Sequence, residues 1–464
     1  AIPKGAKHVE EAWEFIKWMS SVECWLLMAE AEYKYARSWG RIYVPQMSAN
    51  RKVNEAVFER FAPKQKRFRD AFKLCVDMLP QTKFRPVTPV GQLLWDEHVR
   101  AMEVATHHSE THKTPQQALD EGTRKVQEQL DIIYGNKTYA PLNWPVAVAV
   151  TLAAMALLAG GGFYFARGRL RGQMASGRAE HAAGYLFASP WLVGFTIVTA
   201  GPIVASIILS FCRYDVLQPP QFVGLANYRD MLFHDPLFWK SLGNTWYMVL
   251  GVPLGMVVGL GVAMLLNTNV RGLSGYRTAY YLPAIVPTVA SSILWMWVLN
   301  PQYGLINVGI KGAFGAAGPN WLTDPAWAKP SIILMGLWAA GQGMIIWLAG
   351  LKGIPRQLYE AAEIDGAGPF RQFLHVTLPM LSPYIFFNLI MGIIGTFQIF
   401  NQAYIMTQGG PVDSTLFYVY YLFNNGFRYF QMGYASALAW ALFLLILALT
   451  LVQLRLAPKW VHYG

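Results

Sequence analysis

A polar stretch, EAAEIDGAGPFRQFLHVTLP at 360–379, lies between two long apolar runs of this chain. Its candidate site residues are two of its carboxylates, two of its alanines, one of its glycines and a Leu-Pro pair: Glu360, Asp365, Ala361, Ala362, Gly366, Leu378 and Pro379. The carboxylates could cap helices or contact a partner protein, and the two alanines would let another surface come close. None of these residues suggests covalent catalysis; their chemistry is that of recognition.

Two short helices are predicted to position these residues within a loop at 351–383. Pro355 can begin the first helix, RQLYEAAEID, and Gly366 permits the sharp turn that follows it. A second helix, PFRQFLHV, follows the turn and is expected to end at Pro379. The first helix has four side chains available for packing: Leu358, Ala361, Ala362 and Ile364. By pattern alone, the loop is either presented to a partner or lies as an amphipathic connector on the membrane surface.

Four of the polar side chains inside the apolar runs are candidates for lining a solute path: Gln342, Asn388, Gln398 and Asn401. Polar residues within membrane spans usually face a cavity or another helix. Their amides could form hydrogen bonds along the path of a hydroxylated solute, with Gln398 and Asn401 one helical turn apart. Hydrogen bonding between neighbouring helices fits the same residues equally well.

Metal and disulfide chemistry are not indicated. THHSETHK places His108 and His112 one turn apart, but a fourth ligand is lacking and a solvated loop is favoured over a zinc site. Three cysteines are too few for a disulfide framework, and separate thiols are favoured over pairing of Cys24 with Cys75. The chain is therefore expected to hold no metal.

The composition indicates a membrane protein. Of 464 residues, 54% are hydrophobic and 14% are charged, whereas charged residues make up about a quarter of an ordinary soluble domain. The formal charge of +11 does not indicate nucleic-acid binding, because many basic residues flank apolar runs instead of clustering on one soluble face.

Seven apolar runs come near the roughly 20 residues that a helix needs to cross a bilayer. They lie at 144–166, 186–211, 243–266, 279–299, 331–350, 384–405 and 434–456. Residues 1–138 are of soluble character, 139–184 combine the first run with a basic linker, and 185–464 contain the other six runs. This pattern predicts an all-α polytopic membrane domain behind a soluble N-terminal domain.

Lysine and arginine counts predict the orientation. Eleven of these residues lie in one set of alternating segments and six in the other. Cytoplasmic loops carry the excess of positive charge, so the richer set, which includes the loop at 351–383, should be cytoplasmic. Residues 1–143 would then lie outside and the C-terminus inside the cell.

The stretch at 360–379 resembles the EAA loop of bacterial ABC importer permeases. Glutamate, two alanines, glycine and Leu-Pro stand at the spacing of that loop, and Val376 replaces the usual isoleucine. FVGLANYRDML (222–232), GYRTAYYLPAIVP (275–287) and TQGGPVDST (407–415) also look like type I permeases that import sugars and similar polar solutes. The resemblance covers about 185–457 and implies that six of the seven spans form the type I permease fold.

In that family the loop lies in a cleft of a cytoplasmic ATPase and transmits its closure to the membrane helices. The resemblance implies this role for 358–371, and the loop at 351–383 is called the coupling loop below. The chain contains no G-x-x-x-x-G-K-[ST] motif. It is therefore expected to be no enzyme and to need no cofactor of its own, with ATP and Mg bound by a separate ATPase dimer. A second permease of the same fold would complete the solute path.

Residues 1–135 resemble the C-terminal end of extracellular solute-binding proteins of the sugar-binding kind, which are two-lobed α/β proteins. AIPKGAKHVEEAWEFIKWMSS and TPQQALDEGTRKVQEQLD carry the resemblance. The second begins with a Thr114-x-x-Gln117 capping box and has Pro115 at the first helical position. This implies a mainly helical piece of a binding protein fused to the permease; the alternative is a docking or vestigial head.

The sequence thus predicts a permease subunit for ATP-driven uptake of a carbohydrate or similar polar solute. Its location would be the lipid of a bacterial cytoplasmic membrane. An ion-coupled secondary transporter is one alternative, but the apolar runs lack the buried charges that such a protein uses. A membrane-anchored receptor or binding protein is the other.

Overall fold

The computed structural model describes residues 8–38, 42–48, 50–78, 88, 90–106, 113–134, 141–149, 153, 187–191, 193–216, 218–268, 270–339 and 341–462. Within these residues the chain is mostly helical. Strands Cys212–Arg213 and Gln221–Phe222 pair antiparallel, with Cys212 opposite Phe222.

The α-helices follow one another along the chain as Val9–Met19, Val22–Ser38, Arg51–Phe61, Lys66–Met78, Gly91–Thr106, Pro115–Tyr134, Gly201–Ser210, Ala226–Phe233, Pro236–Met248, Gly251–Leu265, Leu273–Ile285, Thr288–Val298, Leu305–Phe314, Pro325–Trp338, Gly341–Gly353, Arg356–Ile364, Pro369–Gln372, Leu378–Met380, Ser382–Phe397, Tyr418–Phe423 and Met432–Leu456. π-helical turns occur at Thr196–Ala200, Phe373–Thr377, Ala403–Thr407 and Asn424–Arg428, and a 3₁₀ turn at Ala457–Lys459.

The chain divides into two compact units. The first comprises Ala1–Thr88 and Trp297–Asn320, and the second comprises Pro89–Met296 and Trp321–Gly464. In the first unit, helices Val22–Ser38 and Arg51–Phe61 pack around four buried residues: Ala29, Val53, Val57 and Phe61. The Lys311 ammonium donates a hydrogen bond to the Ser38 carbonyl at 2.7 Å in the same unit.

Three helices in the described part of the chain are long and apolar enough to cross a membrane. They are Phe187–Ser210, Pro236–Leu265 and Met432–Lys459, which match the predicted runs at 186–211, 243–266 and 434–456. Most of their side chains are not buried within the protein. This is the pattern expected of helices whose apolar surface faces lipid.

Three further predicted runs form bent helix pairs instead of straight spans. Leu273–Ile285 and Thr288–Val298 meet at 98°, Pro325–Trp338 and Gly343–Gly353 at 52°, and Pro369–Met380 and Ser382–Phe397 at 65°. If each pair crosses once, the described residues contain up to six spans. The run predicted at 279–299 is thus broken at 286–287, and its crossing of the membrane as one span stays a prediction.

The 98° bend has a local cause in the sequence. Val286 adopts φ −66° and ψ 127°, an extended conformation that ends the preceding helix. It stands directly before Pro287, and a residue before proline is disfavoured in the α region because the proline ring crowds its backbone. Pro283, in contrast, lies inside its helix without ending it.

The predicted tethering span at 144–166 lies largely outside the described residues. Its beginning at 144–149 is helical, and the Leu142 amide donates to the Pro220 carbonyl at 2.8 Å. Leu142 and Ala147 pack against Val204, Ile208 and Cys212. The basic linker up to residue 184 and the histidines at 107–112 also lie outside the described residues. Cys24, Cys75 and Cys212 are free thiols.

Helix Met432–Leu456 connects the two ends of the second unit. Its 25 residues give a length of about 38 Å at 1.5 Å per residue, enough to cross a hydrocarbon core of about 30 Å. At its beginning, the Gly433 amide donates to the Tyr214 carbonyl at 3.1 Å. Just beyond its end, the His462 amide donates to Ser382 Oγ at 2.8 Å. Because Ser382 follows the coupling-loop helices directly, the coupling loop lies at the C-terminal end of this helix.

Candidate coupling loop and solute path

The first coupling-loop helix is Arg356–Ile364, with Pro355 as its N-cap. Glu360, Ala361 and Asp365 are exposed, and Ala362 is half-buried. No side-chain cap is formed at the start of this helix or of Pro369–Gln372. Of the two roles expected for the carboxylates, capping is thus not seen, and they remain on the surface.

Gly366 ends the first helix in a Schellman turn. The Ala367 amide bonds to the Ala362 carbonyl at 2.8 Å, and the Gly366 amide bonds to the Glu363 carbonyl at 3.0 Å, which is the pair of reversed bonds that defines this turn. The turn requires a left-handed residue, and Gly366 has φ +76°. Glycine adopts this conformation without the steric penalty that a Cβ brings. The glycine of the motif therefore sets the angle of the loop.

The second half of the coupling loop is helical from Pro369 to Met380, with a π-helical turn at Phe373–Thr377. The expectation that Pro379 ends this helix was wrong. Leu378 and Pro379 form the first turn of the short helix after the π-turn. A proline is tolerated at that position because the N–H it lacks has no helical partner there. The chain bends after Met380, by 65°.

Side-chain contacts hold the two halves of the coupling loop together and against the membrane helices. The Tyr359 hydroxyl and Thr377 Oγ1 are 2.9 Å apart, and Gln372 Nε2 donates to the Ala367 carbonyl at 3.0 Å. On the inner side, Tyr359, Val376 and Met380 pack against a buried cluster that includes Leu351, Ile354 and Leu381. The loop is therefore an ordered structure with one face anchored.

The other face of the coupling loop exposes large apolar side chains. Ile364 is 87% exposed and Phe370 is 73% exposed, and Leu358 and Leu374 are also exposed. Leu358 and Ile364, which the sequence made available for packing, are thus left exposed in this chain. Exposed apolar residues beside polar ones are typical of protein interaction sites. Leu358, Ala361 and Ile364 recur every three residues, a helical period that could have indicated this face in the sequence.

Three of the four predicted path residues have side chains within the described part of the structure: Asn388, Gln398 and Asn401. The Asn388 amide donates to the Tyr384 carbonyl of its own helix at 2.8 Å. A Cβ added to Gly343 would lie 3.5 Å from Asn388 Oδ1 and 3.4 Å from Trp347 Nε1, so Asn388 faces a close helix–helix contact. Gln342 lies in helix Gly341–Gly353, but its side chain is outside the described residues.

Gln398 and Asn401 lie on either side of a helix break. The helix ends at Phe397 with Gln398 as its C-cap, so the run predicted at 384–405 is not one continuous helix and the two residues do not stand one turn apart on it. Both are exposed. Their role in a solute path stays a prediction.

The membrane domain has the fold of a known transporter class. A chain of a bacterial ABC transporter that imports the acidic polysaccharide alginate superposes with a TM-score of 0.54 at 22% identity, over 61% of this chain and 96% of that chain. A chain of a bacterial alginate ABC transporter in complex with an alginate pentasaccharide-bound periplasmic protein gives a TM-score of 0.54 at 21% identity, over 61% of this chain and 96% of that chain. The fold is thus that of a type I ABC permease.

Sequence comparison identifies the family. Residues 251–462 match the family described as binding-protein-dependent transport system inner membrane component. The probable ABC transporter permease protein YesP of Bacillus subtilis is 42% identical over 295 residues, which are 62% of this chain and 94% of that protein. The lactose transport system permease protein LacF of Rhizobium radiobacter is 36% identical, over 60% and 94%. The chain belongs to this family of inner membrane transport components.

Proposed function

We propose that this chain is a permease subunit of an ABC importer and that it takes up a carbohydrate. The observation that carries the proposal is the coupling loop. It is an ordered pair of helices, set at an angle by Gly366, with Ile364 and Phe370 exposed at the end of the membrane helices where Ser382 meets His462. The exposed face suits the cleft of an ATPase, and the anchored face would pass its movement to the helices.

The names of several relatives support a carbohydrate as the transported solute. Besides the lactose permease protein, they include the arabinooligosaccharides transport system permease protein AraP of Bacillus subtilis, 31% identical over 92% of its length. The sulfoquinovosyl glycerol transport system permease protein SmoG of Agrobacterium fabrum is 34% identical over 89%. A polar sugar needs donors and acceptors along its path, and Gln398 and Asn401 offer exposed amides for that purpose.

The proposed assembly contains an ATPase dimer and a second permease of the same fold. Coupling would pass through the helix Arg356–Ile364 and the turn at Gly366. The positive-inside count supports a cytoplasmic coupling loop, with residues 1–143 outside the cell. The N-terminal region would then act as the binding-protein piece of the importer.

Transport by reconstituted protein tests the proposal. The chain is purified with the ATPase and the second permease from neighbouring reading frames, inserted into proteoliposomes, and supplied with radiolabelled mono- and oligosaccharides. We expect accumulation that requires ATP on the side of the coupling loop. Uptake that persists without ATP and follows a proton or sodium gradient would overturn the proposal in favour of a secondary transporter.

A charge reversal in the loop sharpens this test. Glu360→Lys should abolish copurification of the ATPase and ATP-dependent uptake together, because the carboxylate lies on the exposed surface of the helix. Glu128→Lys, on an exposed helical site of the N-terminal region, is the matched control and should leave both unchanged. Equal behaviour of the two variants would show that the loop does not bind the ATPase.

A further inference from the structure

A helical hairpin of the N-terminal region belongs to the same compact unit as most of the membrane helices. Its two helices, Gly91–Thr106 and Pro115–Tyr134, are called the head hairpin. A capping box begins the second helix: Gln117 N donates to Thr114 Oγ1 at 3.2 Å, and Thr114 N donates to Gln117 Oε1 at 2.9 Å. The helices approach closely, since a Cβ on Gly122 would lie 3.4 Å from the Glu97 carbonyl oxygen.

Two apolar side chains from the segment just before helix Met432–Leu456 insert into the head hairpin. This segment, 407–431, is called the receiving segment. Val412 is buried and packs against three hairpin residues: Ala101, Val104 and Ala118. Tyr429 is partly buried and packs against a cluster of three buried residues: Val90, Leu93 and Val126. The two helices thus provide one apolar recess for each inserted side chain.

Directional hydrogen bonds fix the position of both side chains. The Val412 amide donates to Glu103 Oε2 at 3.0 Å. The Tyr429 hydroxyl donates to Asp96 Oδ2 at 3.0 Å, and Arg428 Nη1 lies 3.5 Å from the same carboxylate oxygen. Hydrogen bonds to charged groups are about twice as strong as neutral ones. The apolar contacts and the hydrogen bonds therefore specify the same alignment of the head hairpin with the receiving segment.

A network of opposite charges lies next to the inserted Val412. The Arg100 side chain is 14% exposed. Its guanidinium lies 2.8 Å from Glu97, 3.6 Å from Glu121 and 3.9 Å from Asp413. Lys125 lies 3.4 Å from Glu97, and Lys113 lies 2.6 Å from Glu121. Removing one member of such a buried network leaves another charge without its partner.

The receiving segment is held in shape by the membrane domain. Lys240 Nζ donates to the Val412 carbonyl at 2.7 Å, and Asn244 Nδ2 donates to the Asp413 carbonyl at 2.7 Å. Val412 and Asp413 have φ +50° and +56°, left-handed values that are uncommon for residues with a Cβ. Such conformations persist only where surrounding contacts determine them. The segment is thus preorganised to present its amide and carboxylate to the hairpin.

We propose that the head hairpin is a resident docking partner of the membrane domain. It stays bound to the receiving segment in the folded protein, and it closes this surface to any separate binding protein. The occupant is a segment of this same chain, and the fit rests on the paired recesses, the directional bonds and the buried ion pairs. The docking itself does not depend on the proposed function, whereas its consequence for a separate binding protein does.

Excision of the hairpin from the chain tests the proposal. Protease recognition sites inserted at 83 and 137 cut the full-length protein on both sides of the hairpin after purification in detergent through a C-terminal tag. We expect the excised hairpin to stay with the tagged membrane domain through repeated washing and gel filtration. Release of the hairpin from the cut wild-type protein would overturn the proposal.

Two variants test whether the described contacts retain the cut hairpin. Tyr429→Ala empties one recess, and Arg100→Glu puts a fourth carboxylate among three; each should release the cut hairpin to a much greater extent than wild type. Arg124→Glu, whose side chain is 71% exposed, is the matched control on the same hairpin and should release no more than wild type. Retention of the hairpin in both test variants would show that other contacts hold it and would also overturn the proposal.

The measurement is independent of transport. Hairpin retention is read in detergent without ATP or solute, so failure of ATP-dependent uptake leaves its outcome intact. Conversely, release of the hairpin in a protein that still transports would refute the resident docking alone. Monodisperse gel filtration of the uncut variants confirms that they are folded.

Discussion

The coupling loop and the receiving segment are two turns of chain at opposite ends of the same membrane helices, and they differ in how their apolar side chains are treated. The coupling loop exposes Ile364 and Phe370. The receiving segment buries Val412 against the head hairpin and packs the partly buried Tyr429 against it. One surface is open and the other is already covered by another part of the chain.

This difference shows how an interface that lacks its partner can be recognised. Both regions are ordered by hydrogen bonds within the described part of the chain, so order alone does not indicate a partner. The distinguishing feature is where the anchored face ends: Tyr359 and Val376 are packed, whereas the opposite face of the same helices is bare. At the receiving segment, the side chains that would otherwise be exposed lie in recesses of the head hairpin.

The largest effect is expected from a substitution on the exposed face of the coupling loop. Ile364→Asp replaces the most exposed large apolar side chain of the coupling loop. If it is an anchor for the ATPase, its loss should weaken association by about 2 kcal/mol, or roughly 30-fold, as for interface hot spots. Titration of labelled ATPase onto the permease in nanodiscs measures this. Unchanged affinity would mean that the exposed face has another purpose.

The next effect concerns the shape of the coupling loop instead of its surface. Gly366→Val forces a β-branched residue to φ +76°, which is disfavoured by about 1–2 kcal/mol. We expect roughly tenfold slower ATP-dependent uptake in proteoliposomes, because 1.4 kcal/mol corresponds to a factor of ten. Gly368→Ala is the matched control: Gly368 has φ −68°, and an added Cβ meets nothing within 4 Å. Equal loss in both variants would contradict the role of the turn.

A smaller effect tests the covered surface through pH. Burial acts to raise the pKa of Glu121, but the nearby Lys113 and Arg100 outweigh it and leave the pKa lowered. Glu121 therefore contributes stability above the ordinary carboxyl range of about 4.3, and this is lost as pH falls through the lowered pKa. Hairpin retention should hold from pH 6 to 8 and decline only in acid. Glu121→Gln should weaken retention at pH 7 by about 1 kcal/mol.

Asp413 provides the contrasting case within the same network. Burial raises its pKa, and Arg100 does not fully offset this. The sign is therefore opposite: its contribution is present below the ordinary carboxyl range and is lost as pH rises through the raised pKa. Asp413→Asn should change hairpin retention at pH 7 by less than about 0.5 kcal/mol. A loss as large as that of Glu121→Gln would contradict this account of the ion pairs.

The last prediction concerns the solute path. Gln398→Ala and Asn401→Ala each remove an exposed amide and should raise the apparent KM for solute by a few-fold, about the value of one neutral hydrogen bond. The ATPase affinity and hairpin retention should not change, so both ends of the helices stay intact. An unchanged KM in both variants would exclude these residues from the path.

The sequence predicted the coupling loop well because its determinants are local. The spacing of glycine and Leu-Pro, and the apolar runs on either side, are read within thirty residues. The 98° bend could also have been predicted from Pro287, since a residue before proline tends to leave the helix. The position of Pro379 misled, because a π-turn allowed the helix to continue one residue past it, to Met380.

The receiving segment was not predicted because its partners are distant in sequence. The Val412 amide and the Glu103 carboxylate are 309 residues apart, and no short motif links them. The left-handed conformation of Val412 contradicts its β-branched side chain, so local preference gave the opposite indication. Contacts of this kind arise only when the whole chain is folded.

The head hairpin and its receiving segment belong to one polypeptide, and this fixes their stoichiometry. A tethered segment meets its site at an effective concentration that can reach the millimolar range. An interface with a dissociation constant of only about 10 µM would then be occupied roughly 99% of the time. Each copy of the membrane domain thus brings one hairpin of its own, irrespective of how much protein the cell makes.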